Sequence, residues 1–98
     1  RSLMEKARRG DVVVIDVRPS DEYASGHLPF ARSMPLDEIL VRIRELPPDK
    51  EIVAYCRGPF CVMSAEAVVL LKEHGYRAQK IADGTSEWLA AGLPLAES

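Results

Sequence analysis

Wholly apolar runs alternate along the chain with segments of helical periodicity. The runs at 12–15 and 52–55 carry no polar residue, which is typical of strands covered on both faces of a parallel sheet. The segments at 31–34 and 78–82 predict two shorter strands. Because these strands alternate with predicted helices, the sequence predicts an α/β fold with a parallel sheet of about four to five strands and helices on both faces.

Glycines and capping residues bound the predicted helices. A helix at 2–9 is followed by Gly10 as its C-cap, and Ser20 is expected to cap a short helix that ends before Gly26. A last helix begins at Thr85 or Ser86 and carries Trp88 into the core.

Two longer helices are predicted in the middle of the chain. The first has apolar residues at the i, i+3, i+4 and i+7 positions of one face, namely Leu36, Ile39, Leu40 and Ile43. The second, at 62–74, is apolar on nearly all sides, so we expect it to be largely buried, and Gly75 closes it.

The stretch that follows the strand at 52–55 is the candidate site. It consists of Cys56, Arg57, Gly58, Pro59, Phe60, Cys61 and Val62. Its glycine and proline exclude regular helix or strand, so a thiol lies where a buried strand ends and a loop leads to a helix. Ligands collect at that edge of α/β sheets, and loop amides with a helix N-terminus favour an anion. Cys56 is therefore the expected nucleophile, because the helix N-terminus lowers the pKa of a thiol.

Composition restricts the class of protein further. The 98 residues predict one domain over 1–98, and the start at Arg1, directly in a predicted helix, suggests a piece of a longer chain. The net charge of −2 argues against nucleic-acid binding. We expect no membrane contact, and the two cysteines without an export signal predict a reducing, cytoplasmic location. A structural disulfide between them would close a very short ring and stabilise little.

Three groups of residues follow one another along the chain. The opening group is Asp16-Val17-Arg18, Glu22-Tyr23 and Gly26-His27-Leu28-Pro29-Phe30-Ala31. The closing group is Gly84, Trp88 and Ala91-Gly92-Leu93-Pro94, and Cys56 lies between the two. Together they resemble the signatures of rhodanese-like domains, and Cys56 falls where the family has its catalytic cysteine. The loop also resembles the variant in bacterial regulators that join an ArsR-type winged helix to a C-terminal rhodanese domain, which implies an upstream winged-helix partner.

The resemblance implies a three-layer rhodanese-like fold and a sulfurtransferase. Cys56 would take sulfane sulfur from thiosulfate, a persulfide or a polysulfide and pass it to a thiol or cyanide, with no cofactor and no metal. The loop amides from Arg57 to Cys61 would hold the anionic persulfide. The alternative is a sensor of reactive sulfur or oxidant that controls an attached DNA-binding domain with little turnover.

The chain departs from the family at two positions. Cys61 stands where the family often has an arginine, and Asp83 replaces the first of two glycines before Gly84. Cysteine-based phosphatases and arsenate reductases use a loop one residue longer with an arginine that binds the oxyanion, so the sequence argues against that class.

Several residues have two interpretations. Cys61 either packs inward at the helix start or acts as a resolving thiol for Cys56. Arg18 either approaches the substrate or pairs with Asp16 or Glu22, and the structural pairing is favoured. His27 is expected to fix a turn rather than to transfer protons. No spacing of cysteine and histidine typical of zinc is present.

Overall fold

The computed structural model describes residues 9–28, 30–56 and 62–80. Arg9 is helical, but the rest of the predicted first helix and the predicted last helix lie outside these residues. The described elements are β1 (Val12–Asp16), α1 (Ser20–Ser25), β2 (Arg32–Ser33), a 3-10 turn (Leu36–Glu38), α2 (Ile39–Arg42), a 3-10 turn (Ile43–Glu45), β3 (Glu51–Tyr55), α3 (Val62–Glu73) and β4 (Ala78–Lys80).

The four strands form one parallel sheet in the order β2-β1-β3-β4. β1 and β3 lie at the centre in a register that pairs Val12 with Glu51 and Asp16 with Tyr55. Their carboxyl ends therefore stop at the same edge of the sheet. The predicted α/β fold with a parallel sheet is confirmed.

Alternate residues of the central strands contribute to two separate cores. In β3, Ile52 and Ala54 pack in a cluster with Leu71 of α3 and Ile39 of α2, which identifies the face that these helices cover. Val53 and Tyr55 of the same strand belong to a second cluster on the opposite face. That cluster also holds Val12, Val14, Leu28 and Ala31. The two-residue period of a strand thus explains why both runs are apolar throughout.

Two glycines adopt the left-handed conformation where helical segments end. Gly10 has φ of 78° and Gly75 has φ of 87°, a region that side chains with a Cβ rarely enter. At the end of α3, the Gly75 N–H donates to Lys72 O at 3.1 Å and the Tyr76 N–H donates to Leu71 O at 3.0 Å. This pair of hydrogen bonds is a Schellman motif, as expected from Gly75.

Three predictions about the helices are wrong. α3 is not largely buried, since Val62 is 65% and Val69 54% exposed; apolar residues at consecutive positions point around the helix, and only one stripe faces the sheet. Leu40 is 52% exposed because the flanking 3-10 turns change the angle per residue and move it off the apolar face. Ser20 is the first helical residue, and Pro19 holds the cap position.

No described helix combines the length and the apolar character that a membrane span requires.

Candidate functional site

Cys56 lies directly after β3 and is 1% exposed. Val17 is the first residue after β1, the strand beside β3. Its N–H donates to Tyr55 O at 3.2 Å, so the chain beyond β1 runs beside Cys56. Cys56 and Val17 belong to the same apolar cluster as Met34 and Ala67. The side chain of Cys56 is therefore on the sheet face that α2 and α3 cover.

The helix that follows the loop begins close to this thiol in sequence. α3 starts at Val62, extends over 12 residues and has no acidic residue in its first turn. By contrast, α1 and the 3-10 turn at 36–38 each carry two acidic residues in their first turns. Since carboxylates at a helix N-terminus compensate its positive partial charge, α3 leaves that charge available to an anion.

The structure carries Cys56 in a disulfide-bonded state. Arg57, Gly58, Pro59, Phe60 and Cys61 lie outside the described residues. A thiolate is the nucleophilic form of cysteine, so Cys56 requires reduction before it can react.

Asp16 and Arg18 form a buried ion pair at the end of β1. Their side chains are 0% and 7% exposed, and the Arg18 Nη2 atom lies 2.6 Å from Asp16 Oδ2. The Arg18 Nε atom also donates to Asp16 Oδ1 at 2.9 Å, and Nη2 donates to Gly26 O at 2.7 Å. Burial alone would lower the pKa of Arg18, but the hydrogen bonds and charge of Asp16 raise it overall. The guanidinium thus joins β1 to the loop after α1.

Tyr55 extends this network, and sequence reasoning missed it. Its hydroxyl donates to Asp16 Oδ2 at 2.8 Å and accepts the N–H of Leu28 at 3.1 Å. Burial, followed by the negative charge of Asp16, raises the pKa of Tyr55, so the phenol remains protonated at neutral pH. Because Tyr55 points to the face opposite to Cys56, the network supports the strand end from that opposite face.

His27 is 6% exposed, and its Nδ1 atom lies 2.7 Å from Tyr23 O. The two rings are stacked with centroids 3.6 Å apart. These contacts agree with a role in fixing the turn. Within the described residues, no group of three or more histidine, cysteine and carboxylate side chains is placed to hold a metal ion.

A groove of about 510 Å³ opens at the carboxyl edge of the sheet, on the side of Cys56. Val17 follows β1, Pro35 and Leu36 follow β2, and Met63 lies in the first turn of α3. Sequence reasoning missed these lining residues because they come from three separate segments. Cys56 is buried and packs in one apolar cluster with Val17, which lines the groove.

Residues 1–91 match the family described as Rhodanese-like domain. The chain therefore belongs to the rhodanese-like family. It is 43% identical over 95 residues to an HTH-type transcriptional regulator of Mycobacterium tuberculosis, covering 97% of this chain and 42% of the regulator. It is 35% identical over 86 residues to a sulfurtransferase of Allochromatium vinosum, covering 87% of this chain and 78% of that protein.

A solved structure of a Lactobacillus plantarum protein superposes with a TM-score of 0.87 at 27% identity, covering 98% of this chain and 83% of that one. The fold and family predicted from the sequence motifs are confirmed. The family and the relative named as a sulfurtransferase support a sulfur-transfer kind of function. The similarity to the regulator indicates a relationship to proteins with a DNA-binding part. This chain spans less than half of the regulator's length.

Proposed function

We propose that this chain is a sulfurtransferase domain that carries sulfane sulfur as a persulfide on Cys56. The observation that carries the proposal is the position of Cys56, directly after β3 at the carboxyl edge of the sheet, in a rhodanese-like chain. Thiosulfate, persulfides and polysulfides are the candidate donors, and a thiol or cyanide is the acceptor.

The reaction has two steps that need no external oxidant. The Cys56 thiolate attacks the sulfane sulfur, a new S–S bond forms, and the donor leaves with the electron pair of the broken bond as sulfite or a thiolate. The acceptor then attacks the outer sulfur of the persulfide. That S–S bond breaks, and Cys56 returns as the thiolate.

The negative charge of the persulfide needs stabilisation in both steps. The first turn of α3 carries no acidic residue, which suits an anion at this helix N-terminus. We propose that the backbone from Arg57 to Cys61 supplies amide donors around the outer sulfur. Asp16 and Arg18 support the site indirectly, because their pair fixes the end of β1 beside β3.

Cys61 is proposed as a resolving thiol. It would attack the inner sulfur of the persulfide, release the outer sulfur as hydrosulfide and leave a disulfide with Cys56. The disulfide-bonded state of Cys56 is compatible with such an oxidised resting form, which a reducing thiol would reopen.

A sensor role is the second candidate, and the similarity to a transcriptional regulator favours it. In that case modification of Cys56 alters DNA binding by an upstream winged-helix domain of the full-length protein in the cytoplasm. The persulfide chemistry is the same for both candidates. Many catalytic cycles per molecule support the enzyme, whereas one slow stoichiometric modification supports the sensor.

Intact-mass measurement of the reduced protein after exposure to thiosulfate or polysulfide tests the proposal. We expect Cys61→Ser, which keeps the proposed nucleophile but lacks the resolving thiol, to gain the mass of one sulfur atom and Cys56→Ser to gain none. The wild type should gain the same atom and lose it again as Cys61 converts the persulfide to the disulfide. Equal mass gain in Cys61→Ser and Cys56→Ser would contradict the proposal.

A further inference from the structure

The groove beside Cys56 combines an apolar floor with an acidic rim. Its floor is formed by Val17, Pro19, Pro35, Leu36 and Met63. All ionisable side chains among its described lining residues are carboxylates, those of Asp21, Asp37 and Glu38. The volume of about 510 Å³ is in the range of small-molecule sites.

The carboxylates of this rim are only partly compensated. Glu38 lies 3.2 Å from the Nη1 atom of Arg42, which also pairs with Glu45. Within the described part of the chain, neither Asp21 nor Asp37 takes part in a salt bridge. Each lies in the first turn of a short helical segment, where the partial positive charge of about half an elementary charge offsets it incompletely. The described lining of the groove is therefore negative.

This charge lies next to the candidate nucleophile. Val17 lines the groove and packs with Cys56 in one cluster on the same face of the sheet. An anionic reactant that approaches through the groove is repelled, and a cationic one is attracted.

We propose that the acidic groove selects the sulfur acceptor by charge. The preferred acceptor is a thiol with a cationic group on a short apolar stem: the stem contacts the Leu36 and Met63 side, and the cation lies between Asp21 and Asp37. This inference rests on the proposed function. In the transfer step the acceptor thiolate forms a bond to the outer sulfur, and Cys56 leaves as the thiolate.

Three acceptors of similar size and different charge test the inference. They are 2-aminoethanethiol, 2-mercaptoethanol and 2-mercaptoethanesulfonate, which are cationic, neutral and anionic. The rate of persulfide loss from preloaded Cys56 is measured for each acceptor with and without the change Asp21→Asn/Asp37→Asn, in both cases in the Cys61→Ser protein, where the proposed resolving thiol cannot compete. For each acceptor the ratio of the two rates cancels the intrinsic reactivity of its thiol.

We expect the double variant to slow the cationic acceptor by about fivefold or more relative to the neutral one, and to accelerate the anionic acceptor by a similar factor. Both effects should shrink as salt is added. Both aspartates are exposed, so the substitutions leave the core intact. The single variant Asp37→Asn provides a second measurement with about half of the effect on a logarithmic scale.

Glu73→Gln is the matched control, because it removes the same charge at the other end of α3. Ten residues of helix place Glu73 about 15 Å along the axis from Met63, beyond a Debye length of about 8 Å. It should leave all three rates unchanged. If the persulfide forms and transfers but the aspartate variants treat all acceptors alike, the inference is wrong and the proposed function stands. If no persulfide forms on Cys56 of the Cys61→Ser protein, both are wrong.

Discussion

Replacing Tyr55 with phenylalanine removes one hydroxyl from the network behind the site and preserves the ring in the core. That hydroxyl accepts the N–H of Leu28 at 3.1 Å and donates to Asp16 at 2.8 Å. After the substitution Asp16 keeps its hydrogen bonds to Arg18, but the buried N–H of Leu28 loses the acceptor that Tyr55 provided. The effect of the substitution on stability therefore depends on the N–H of Leu28.

A buried donor without a partner costs about 1–3 kcal/mol. Leu28 and Tyr55 are both 0% exposed, so water cannot replace the lost acceptor without local opening. We expect Tyr55→Phe to lower the free energy of unfolding by about 2 kcal/mol. For a domain of this size, that corresponds to a decrease in Tm of about 8–16 °C.

Tyr76→Phe provides the matched control. The Tyr76 hydroxyl lies 2.8 Å from Ile43 O and 3.1 Å from Leu46 O, so its removal orphans no donor and leaves carbonyl oxygens in a half-buried position. We expect it to cost about 1 kcal/mol or less. Urea unfolding followed by far-UV circular dichroism compares the two variants under identical conditions.

The pH dependence gives a second test of the same hydroxyl. The pKa of Tyr55 is raised above its ordinary value of 10.0, so above pH 10 the unfolded chain releases a proton that the folded protein retains. The stability due to this shift is complete below pH 10 and is lost as pH rises further. The advantage of wild type over Tyr55→Phe should then shrink by up to about 1.4 kcal/mol per pH unit.

Two outcomes would refute this reasoning. One is a Tyr55→Phe protein as stable as Tyr76→Phe, which would mean that the N–H of Leu28 finds another acceptor. The other is a stable Tyr55→Phe protein that no longer forms the persulfide, which would place Tyr55 in the chemistry of the site. Since Tyr55 and Cys56 point to opposite faces, we expect persulfide formation by the folded variant to change little.

Arg18→Lys keeps the positive charge beside Asp16 but loses the planar set of guanidinium N–H donors. We expect it to lower the free energy of unfolding, measured by chemical unfolding, by more than about 1 kcal/mol. Leu71→Ala should lower the free energy of unfolding by about 2–5 kcal/mol because Leu71 is 0% exposed. Leu40→Ala, at a half-exposed position, should change it by about 0.5 kcal/mol or less. Equal losses in the two variants would contradict the assignment of buried and exposed faces. Gly75→Ala should lower the free energy of unfolding by about 1–2 kcal/mol, because Gly75 has φ of 87° and a Cβ is unfavourable there. Gly75→Asn should lower it less, and thermal unfolding compares the two variants.

The two central strands were predictable from the sequence because burial on both faces leaves an apolar run. β1 and β3 appear within a residue of the predicted bounds. The position of Cys56 after β3 follows directly. The prediction for α3 was wrong since a run such as 68–71 does not reveal which side faces the sheet; Ser64, Ala67 and Leu71 define that side.

The Asp16–Arg18 pair was expected from the sequence, but the part of Tyr55 in the network and the groove could not be predicted, because both depend on parallel register. Asp16 and Tyr55 are 39 residues apart in the chain but directly paired between β1 and β3. A tyrosine at the end of an apolar run resembles a core residue, and only the register shows that its hydroxyl reaches a carboxylate. The same register places Val17 beside Cys56, which brings the acidic residues after β1 and β2 to one opening.

The two faces at the end of β3 divide structural support from chemistry. Tyr55 points into a buried polar network that includes an ion pair, and one residue later Cys56 points to the face with the groove. A buried ion pair contributes little net stability but is costly to break, so the network holds the strand end in one position. Substitutions on the Tyr55 face should therefore affect stability, and substitutions of the groove carboxylates should affect the choice of acceptor.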